Sequence, residues 1–207
     1  MKRIGIIGVG EIGRAIVTGL RHGGDEFPEV FLSPRGARTA TELSACYEGV
    51  QVCADNQEVV DRSELVIIAV RREGRHDALA GVRVDDGKIV VNVMAGVGND
   101  DLRQTLATGA PLVRAIPLPA IRERRSVTVV YPAHSEVNSL FERPGRGPPR
   151  RGRGRFQRLL RADGDADHPL LVPRHAHVVG RRPRHRLRGR GPLRSRPLPG
   201  RRSRAER

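Results

Sequence analysis

Residues 4–13 read Ile4-Gly5-Ile6-Ile7-Gly8-Val9-Gly10-Glu11-Ile12-Gly13. An apolar run passes directly into a Gly-x-Gly-x-x-Gly pattern, and a helical repeat of apolar residues follows. In such a strand–turn–helix unit the first glycine permits the tight turn, and the second lets the backbone approach a pyrophosphate. The third lets the helix pack on the strand, and the free N–H groups at the helix start face the anion. The stretch predicts a dinucleotide-binding turn.

The positive charge is concentrated in the last third of the chain. The 207 residues have a formal net charge of +15. Residues 1–141 hold 17 Lys+Arg against 18 Asp+Glu, a net of −1, whereas residues 142–207 hold 21 Arg against 5 acids, a net of +16. Because so polar a segment cannot offset its ordering entropy, we expect residues 142–207 to form a disordered Arg/Gly/Pro-rich tail. Residues 1–141 are long enough for one domain with a hydrophobic core.

Strand and helix patterns alternate through residues 1–141. The runs at 65–70 and 88–93 are continuous and rich in β-branched residues, which is typical of strands covered by helices on both faces. This alternation predicts βαβ units with right-handed crossovers, and therefore an α/β fold with a Rossmann-type doubly wound parallel sheet. The predicted strands are 3–8, 30–33, 51–53, 65–70, 88–93, 112–115 and 127–130. The predicted helices are 11–21, 35–46, 56–61, 73–79 and 100–106, the last capped by Asn99 or Asp100.

The residues after the second predicted strand indicate which nicotinamide nucleotide binds. NAD-selective domains usually place an acid there, about 20 residues beyond the glycines. This chain has Ser33-Pro34-Arg35, with Arg38 one turn later. A hydroxyl and two guanidiniums would accept a 2′-phosphate that an acid would repel. The pattern favours NADP(H) over NAD(H); the alternative is that Arg35 and Arg38 only line a solvated helix face.

Four segments of residues 1–141 resemble, in order and at matching spacing, the pyrroline-5-carboxylate reductases of proline biosynthesis. They are RIGIIGVGEIGRAIVTGL (3–20), ADNQEVVDRSELVIIAVR (54–71), KIVVNVMAGV (88–97) and PLVRAIPLPA (111–120). The resemblance implies an NADPH-dependent oxidoreductase that acts on a small cyclic imine. It also implies cofactor contacts from Gly8, Val9, Gly10, Glu11, Ile12, Gly13, Ser33, Arg35, Asn56, Ala69, Val70, Arg71, Ala95 and Gly96.

Some of these positions have simpler interpretations, and two segments depart from the family pattern. Asn56 is also placed to cap a helix, and Ala95-Gly96 is also a plain turn. Arg71-Arg72 stands where the family usually has Lys-Pro, and Leu118 stands where it has Asn. These departures suggest a divergent branch whose substrate is open. No catalytic acid or base is assigned. His134 is expected in the loop before the last helix of the domain, where a loop or capping role is the simpler interpretation.

The family's members continue into an all-helical domain that dimerises and supplies much of the substrate site, and residues 142–207 do not resemble it. Their bias to Arg, Gly, Pro and Ala, without Lys, is typical of GC-rich DNA read in an unintended frame. Read one nucleotide later, codons for residues 157–164 permit Asn-Ala-Phe-Ser-Ala-Leu-Thr, as in an amphipathic helix. We therefore expect a frame slip near Glu142–Arg143 and a tail that is a remnant of that domain. Because the domain supplies the dimer contacts and much of the substrate site, we expect weak or absent catalysis and do not expect a stable homo-oligomer.

Other functions of the chain have less support. Arg-Gly segments can bind nucleic acid, but Phe156 is the tail's only aromatic residue, so base stacking has almost nothing to use. A solvated spacer and a non-catalytic NADP-binding protein stay open. His175-x-His177 has no nearby Cys or acid to complete a metal site, and Cys46 and Cys53 form no Cys-x-x-Cys pair. With no run near 18 apolar residues, a cytoplasmic protein without metal is expected.

Overall fold

The computed structural model describes residues 3–21, 27–118, 121–122, 127–142 and 177–180. Within them lie eight strands: β1 Arg3–Ile7, β2 Glu29–Leu32, β3 Val50–Val52, β4 Leu65–Ile68, β5 Ile89–Asn92, β6 Leu112–Ile116, β7 Val127–Tyr131 and β8 His177–Gly180. The six helices in the same residues are α1 Glu11–Arg21, α2 Ala37–Cys46, α3 Asn56–Asp61, α4 Arg75–Leu79, α5 Asn99–Leu106 and α6 Ser135–Glu142. A short 3-10 turn, Arg72–Gly74, precedes α4. None of the described helices is long and apolar enough to cross a membrane.

All eight strands form one sheet in the order β3-β2-β1-β4-β5-β6-β7-β8. The first six run parallel, while β7 pairs antiparallel to β6, and β8 antiparallel to β7. Ile4 of β1 lies opposite Val30 of β2 on one side and Leu65 of β4 on the other. Strands β2 and β3 therefore lie on one side of β1, and β4 and the later strands lie on its other side. This is the Rossmann-type arrangement predicted from the sequence.

The hydrophobic core consists of two clusters, one on each face of the sheet. β4 is fully buried: Leu65 and Ile67 belong to the first cluster, which α1, α2 and α6 cover. Val66 and Ile68 belong to the second cluster, which α3, α4 and α5 cover. Because successive strand residues point to opposite faces, a strand buried on both faces has no polar alternation. This explains the continuous apolar runs in the sequence.

The predicted elements are present with small shifts at their ends. The helix expected from residue 35 begins at Ala37, because Gly36 has φ 88° and a left-handed backbone. The cap expected at Asn99 or Asp100 is wrong, since α5 is preceded by Gly98. The Asn99 side chain instead donates to Leu112 O on the neighbouring strand, at 3.2 Å. Tertiary hydrogen bonding has displaced the local cap.

Five described residues lie inside the segment that the sequence analysis expects to be disordered: Glu142, which ends α6, and His177–Gly180. His177–Gly180 forms the edge strand β8, with His177 opposite Val130 and Gly180 opposite Val127. Its two central valines favour extended backbone, and the edge of β7 offers free hydrogen-bonding groups. The expectation is corrected for these five residues. The other tail residues, His175 included, lie outside the described residues.

Candidate functional site

The carboxyl ends of β1 and β4 meet at the point where the strand order reverses. Ala69 N–H donates to Ile7 O at 2.8 Å, so the loop after β4 lies against the loop after β1. Gly8 has φ +99°, and a Cβ on it would lie 2.7 Å from backbone atoms of both Ala69 and Val70. Only glycine fits there. Ligands of doubly wound sheets bind in this crevice, so the structure brings three predicted residues together at its floor.

The glycine turn between β1 and α1 has one open position between two packed ones. A Cβ on Gly13 would overlap Gly8 O, which means that α1 packs tightly on the turn. A Cβ on Gly10 would meet no heavy atom within 4 Å. The first N–H groups of a helix have no intrahelical acceptor and carry a partial positive charge. The turn is therefore open at Gly10, next to the N–H groups at the start of α1, and this arrangement is suited to an anion.

Three side chains of this turn differ in their surroundings. Val9 is buried in the core, and Ile12 is half-buried against it, so both offer the site only their backbone. Glu11 is exposed in the first turn of α1. Its carboxylate stabilises the helix start through the helix dipole but would repel a phosphate at close range. Glu11 is therefore suited to contribute its N–H group rather than its side chain.

The loop after β2 closes one side of the crevice. A Cβ on Gly36 would lie 3.5 Å from Val9 O, which places this loop against the glycine turn. Ser33 is fully buried, and its Oγ accepts the Arg35 backbone N–H at 3.3 Å. Within the described residues the exposed Arg35 guanidinium forms no ion pair. Ser33 thus shapes the loop, while Arg35 presents a free positive charge.

Arg38 lies in a different environment from Arg35. Its Nε is 3.0 Å from Glu42 Oε1, and its side chain is 92% exposed. Arg14 Nη1 on α1 lies 3.1 Å from the other oxygen of the same carboxylate. Glu42 therefore pairs with two guanidiniums on a solvated surface, and its single negative charge offsets one of their two positive charges. Arg38 therefore lies on a solvated face of α2 beside a carboxylate that pairs with it.

Asn56 joins two helices instead of capping one. Asp55 is the cap of α3 and accepts the Glu58 N–H at 2.8 Å. Asn56 Nδ2 donates to Ala78 O of α4 at 2.7 Å, and its buried Oδ1 has no hydrogen-bond partner among the described residues. Both helices line a cavity of about 300 Å³ that includes Asn56. The cap interpretation is wrong for Asn56, whose side chain instead connects α3 to α4.

The β5–α5 loop is fixed by two donors to one carbonyl. Asn92 is fully buried; its Nδ2 donates to Val97 O at 2.9 Å, and its Oδ1 accepts the Met94 N–H at 3.1 Å. Arg114 of β6 also donates to Val97 O, and burial lowers the pKa of its guanidinium. Ala95-Gly96, with Gly96 at φ +68°, therefore forms a constrained turn at the carboxyl edge of the sheet. The sequence analysis missed both supports, although each is a polar residue in an apolar strand.

Arg72 connects the loops after β4 and β5. Its Nη1 and Cδ lie 3.5 and 3.6 Å from the position that a Cβ on Gly96 would occupy. The side chain thus lies across Gly96, whereas Arg71 is exposed just before the 3-10 turn. At the same edge Leu118, after β6, is 44% exposed. The three positions at which the chain departs from the family pattern all lie at the carboxyl edge.

His134 lies just before α6, as expected. Its carbonyl accepts the Asn138 N–H at 2.8 Å, and its Nδ1 is buried with no hydrogen-bond partner among the described residues. No hydrogen bond among the described residues connects His134 to the crevice. In the described part of the chain no three His, Cys, Asp or Glu side chains converge as a metal site. Both cysteines are free, Cys46 exposed and Cys53 buried.

The family model and the known proteins that resemble this chain are described as an oxidoreductase or as reductases. A family model described as NADP oxidoreductase, coenzyme F420-dependent, matches residues 3–96. Pyrroline-5-carboxylate reductase 1 of Dictyostelium discoideum is 30% identical over 129 residues, which are 60% of this chain and 23% of that protein. The pyrroline-5-carboxylate reductase of Mycobacterium leprae is 29% identical over 149 residues, covering 69% of this chain and 50% of the relative.

Solved structures share the same fold. The 1-pyrroline-5-carboxylate reductase of Streptococcus pyogenes has a TM-score of 0.56 at 23% identity, over 68% of this chain and 54% of that one. A reductive aminase from Aspergillus terreus, solved in complex with NADPH and ethyl-5-oxohexanoate, has a TM-score of 0.53 at 20% identity, over 68% and 51%. The chain spans about half the length, or less, of the relatives it matches.

Proposed function

We propose that the chain is a member of the pyrroline-5-carboxylate reductase family of oxidoreductases, that it binds NADP(H) and that it is built to reduce a cyclic imine. The observation that carries the proposal is the crevice between β1 and β4. There Gly8 and Gly13 are packed without room for a side chain, while Gly10 faces open space. This pattern of closed and open glycines is what a bound pyrophosphate requires.

The residues of the proposed site divide by the part of the cofactor that each would hold. The N–H groups from Gly10 to Gly13 would hold the pyrophosphate. The loop from Ser33 to Arg35 would hold the adenosine ribose, and Ala69 to Arg71 with Ala95-Gly96 would border the nicotinamide. When bound, the cofactor supplies a hydride. The chain's contribution is to orient it, since the Asn92 and Arg114 bonds to Val97 O keep the β5–α5 loop in place.

Preference for NADP(H) over NAD(H) is proposed from the charges after β2. Arg35 is exposed and unpaired among the described residues, and the position after β2 carries a hydroxyl rather than an acid. Glu42, on α2, is already paired with Arg14 and Arg38. A 2′-phosphate would meet Arg35 first. Arg38 would contribute only by exchanging Glu42 for the phosphate.

We further propose that residues 1–141, extended at the sheet edge by β8, are the cofactor domain and that the rest of the tail is a frame-shifted remnant of a helical domain. The change after residue 141 to a segment with 21 Arg against 5 acids supports this boundary. No proton donor for an imine nitrogen is assigned among the described residues. A chain without the helical substrate domain would bind cofactor but turn over slowly or not at all.

The test uses the purified 207-residue protein. NADPH binding is followed by its fluorescence, and turnover by loss of NADPH absorbance with pyrroline-5-carboxylate present. We expect saturable binding and little turnover, with turnover recovered when the coding frame is restored near residue 142. Absent binding would overturn the cofactor proposal. Full turnover by the 207-residue protein would overturn the proposed loss of the substrate domain.

A further inference from the structure

An uncompensated positive charge lies at the end of the crevice opposite the adenosine loop. In a doubly wound sheet the adenosine half of a dinucleotide lies over β1 to β3, so the nicotinamide half lies over β4 and β5. Arg72 lies across Gly96 where the loops after these two strands meet. Arg71 and Arg72 are both exposed, so neither charge is removed by burial.

No carboxylate offsets this charge within the described residues. Glu73 follows Arg72 directly, and Asp100 begins near the same edge in α5, yet neither forms an ion pair with Arg71 or Arg72. Arg114, on the other side of the Ala95-Gly96 turn, donates to a carbonyl and has no acidic partner there. A cation therefore lies on each side of this turn.

We propose that Arg72 makes the site selective for the reduced cofactor over the oxidised one, an inference that rests on the proposed NADP(H) function. The nicotinamide ring of NADP⁺ carries a positive charge, whereas the ring of NADPH is neutral, and the remaining parts of the two molecules are the same. A nearby guanidinium raises the free energy of the oxidised complex and leaves the reduced one nearly unchanged. For two like charges about 7 Å apart in an effective dielectric of about 40, the repulsion corresponds to about a sevenfold change in affinity.

The Arg72 charge acts on the nicotinamide half of the cofactor, so Arg72 adds a selectivity that the glycine turn cannot provide. Arg83 offers a matched control, because it lies between α4 and β5 and hence at the amino edge of the sheet. Replacing it removes the same charge from the opposite side of the molecule.

The experiment measures dissociation constants of the full chain for NADPH, NADP⁺ and 2′-phospho-ADP-ribose at about 0.15 M salt. The proposal predicts that wild type, Arg72→Lys and Arg83→Gln prefer NADPH over NADP⁺ by about 3- to 10-fold. In Arg72→Gln the preference should fall to about twofold or less, through tighter NADP⁺ binding. Affinity for 2′-phospho-ADP-ribose, which lacks the nicotinamide, should change by less than about twofold.

Each other outcome counts against the proposal in a distinguishable way. An unchanged NADPH preference in Arg72→Gln would overturn it while leaving the proposed function intact. An equal loss of affinity for all three ligands would mean that Arg72 attracts phosphate or supports the loop, which also overturns it. Failure of the wild-type chain to bind either NADPH or NADP⁺ would overturn the proposed function, and this inference with it.

Discussion

Replacing Gly10 with alanine should separate cofactor binding from folding. A Cβ at this position meets no heavy atom within 4 Å, and Gly10 is not among the glycines with positive φ. The methyl group therefore strains nothing, and by restricting the unfolded chain it should raise the free energy of unfolding by about 0.4–1 kcal/mol. The same methyl fills the space through which a pyrophosphate would reach the backbone N–H groups of the turn.

The expected loss of affinity follows from the hydrogen bonds that the methyl group prevents. One hydrogen bond to a charged group contributes about 1.5–3 kcal/mol, so losing it weakens NADPH binding by about 10- to 150-fold. At a concentration 100 times the wild-type Kd, NADPH should stabilise the wild-type protein by about 2.7 kcal/mol. At the same concentration a tenfold weaker variant gains about 1.4 kcal/mol, and a hundredfold weaker one about 0.4 kcal/mol.

The assay is urea unfolding of wild type, Gly10→Ala and Gly87→Ala, each with and without NADPH. Gly87 also has no heavy atom within 4 Å of a Cβ position, but it precedes β5 at the amino edge of the sheet. Salt at about 0.2 M suppresses binding of NADPH phosphates to the basic tail. The same NADPH stabilisation in Gly10→Ala as in Gly87→Ala would refute the proposed cradle. A less stable Gly10→Ala without ligand would refute the open position of Gly10.

Three further changes test the fold around the site. Gly8→Ala should lower the free energy of unfolding by about 2–4 kcal/mol in urea, because the methyl would overlap the loop after β4 at a strained φ of +99°. Arg21→Ala should cost about 1–2 kcal/mol in the same assay, since its guanidinium lies 3.3 Å from the centre of the Phe27 ring; an unchanged midpoint would contradict this. Burial raises the pKa of the Cys53 thiol, so its contribution to stability is complete below the ordinary value of about 9 and is lost at higher pH. Unfolding at pH 8 to 10.5 should show this decline, and a thiol reagent at pH 8 should label the exposed Cys46 first.

The parts of the fold that could be predicted from the sequence depend on local patterns. The continuous apolar runs of β4 and β5 follow from burial on both faces, and both faces are indeed covered. The spacing of Gly8, Gly10 and Gly13 specifies a turn whose backbone conformation and packing involve only neighbouring residues and one adjacent strand. The position of the crevice then follows from topology, since β1 and β4 must be neighbours in a doubly wound sheet.

The parts that could not be predicted depend on partners distant in sequence. Asn56 bonds to Ala78, 22 residues away, and so leaves capping to Asp55. β8 is a further case, because an edge strand of four residues depends on β7 being free to pair. Arg38 differs from these cases, because its partner Glu42 is only four residues away on the same helix, and the i,i+4 spacing is a local signal that the sequence analysis did not use.

Calorimetric titration of the 207-residue protein with NADPH and with NADH, at about 0.2 M salt, tests the central claim most directly. The claim is that the crevice between β1 and β4 holds a nicotinamide dinucleotide with a 2′-phosphate. We predict saturable heat for one NADPH per chain, with at least tenfold weaker binding of NADH, and loss of the NADPH heat in Gly10→Ala. No saturable heat with NADPH, or equal affinity for both nucleotides, would contradict the claim.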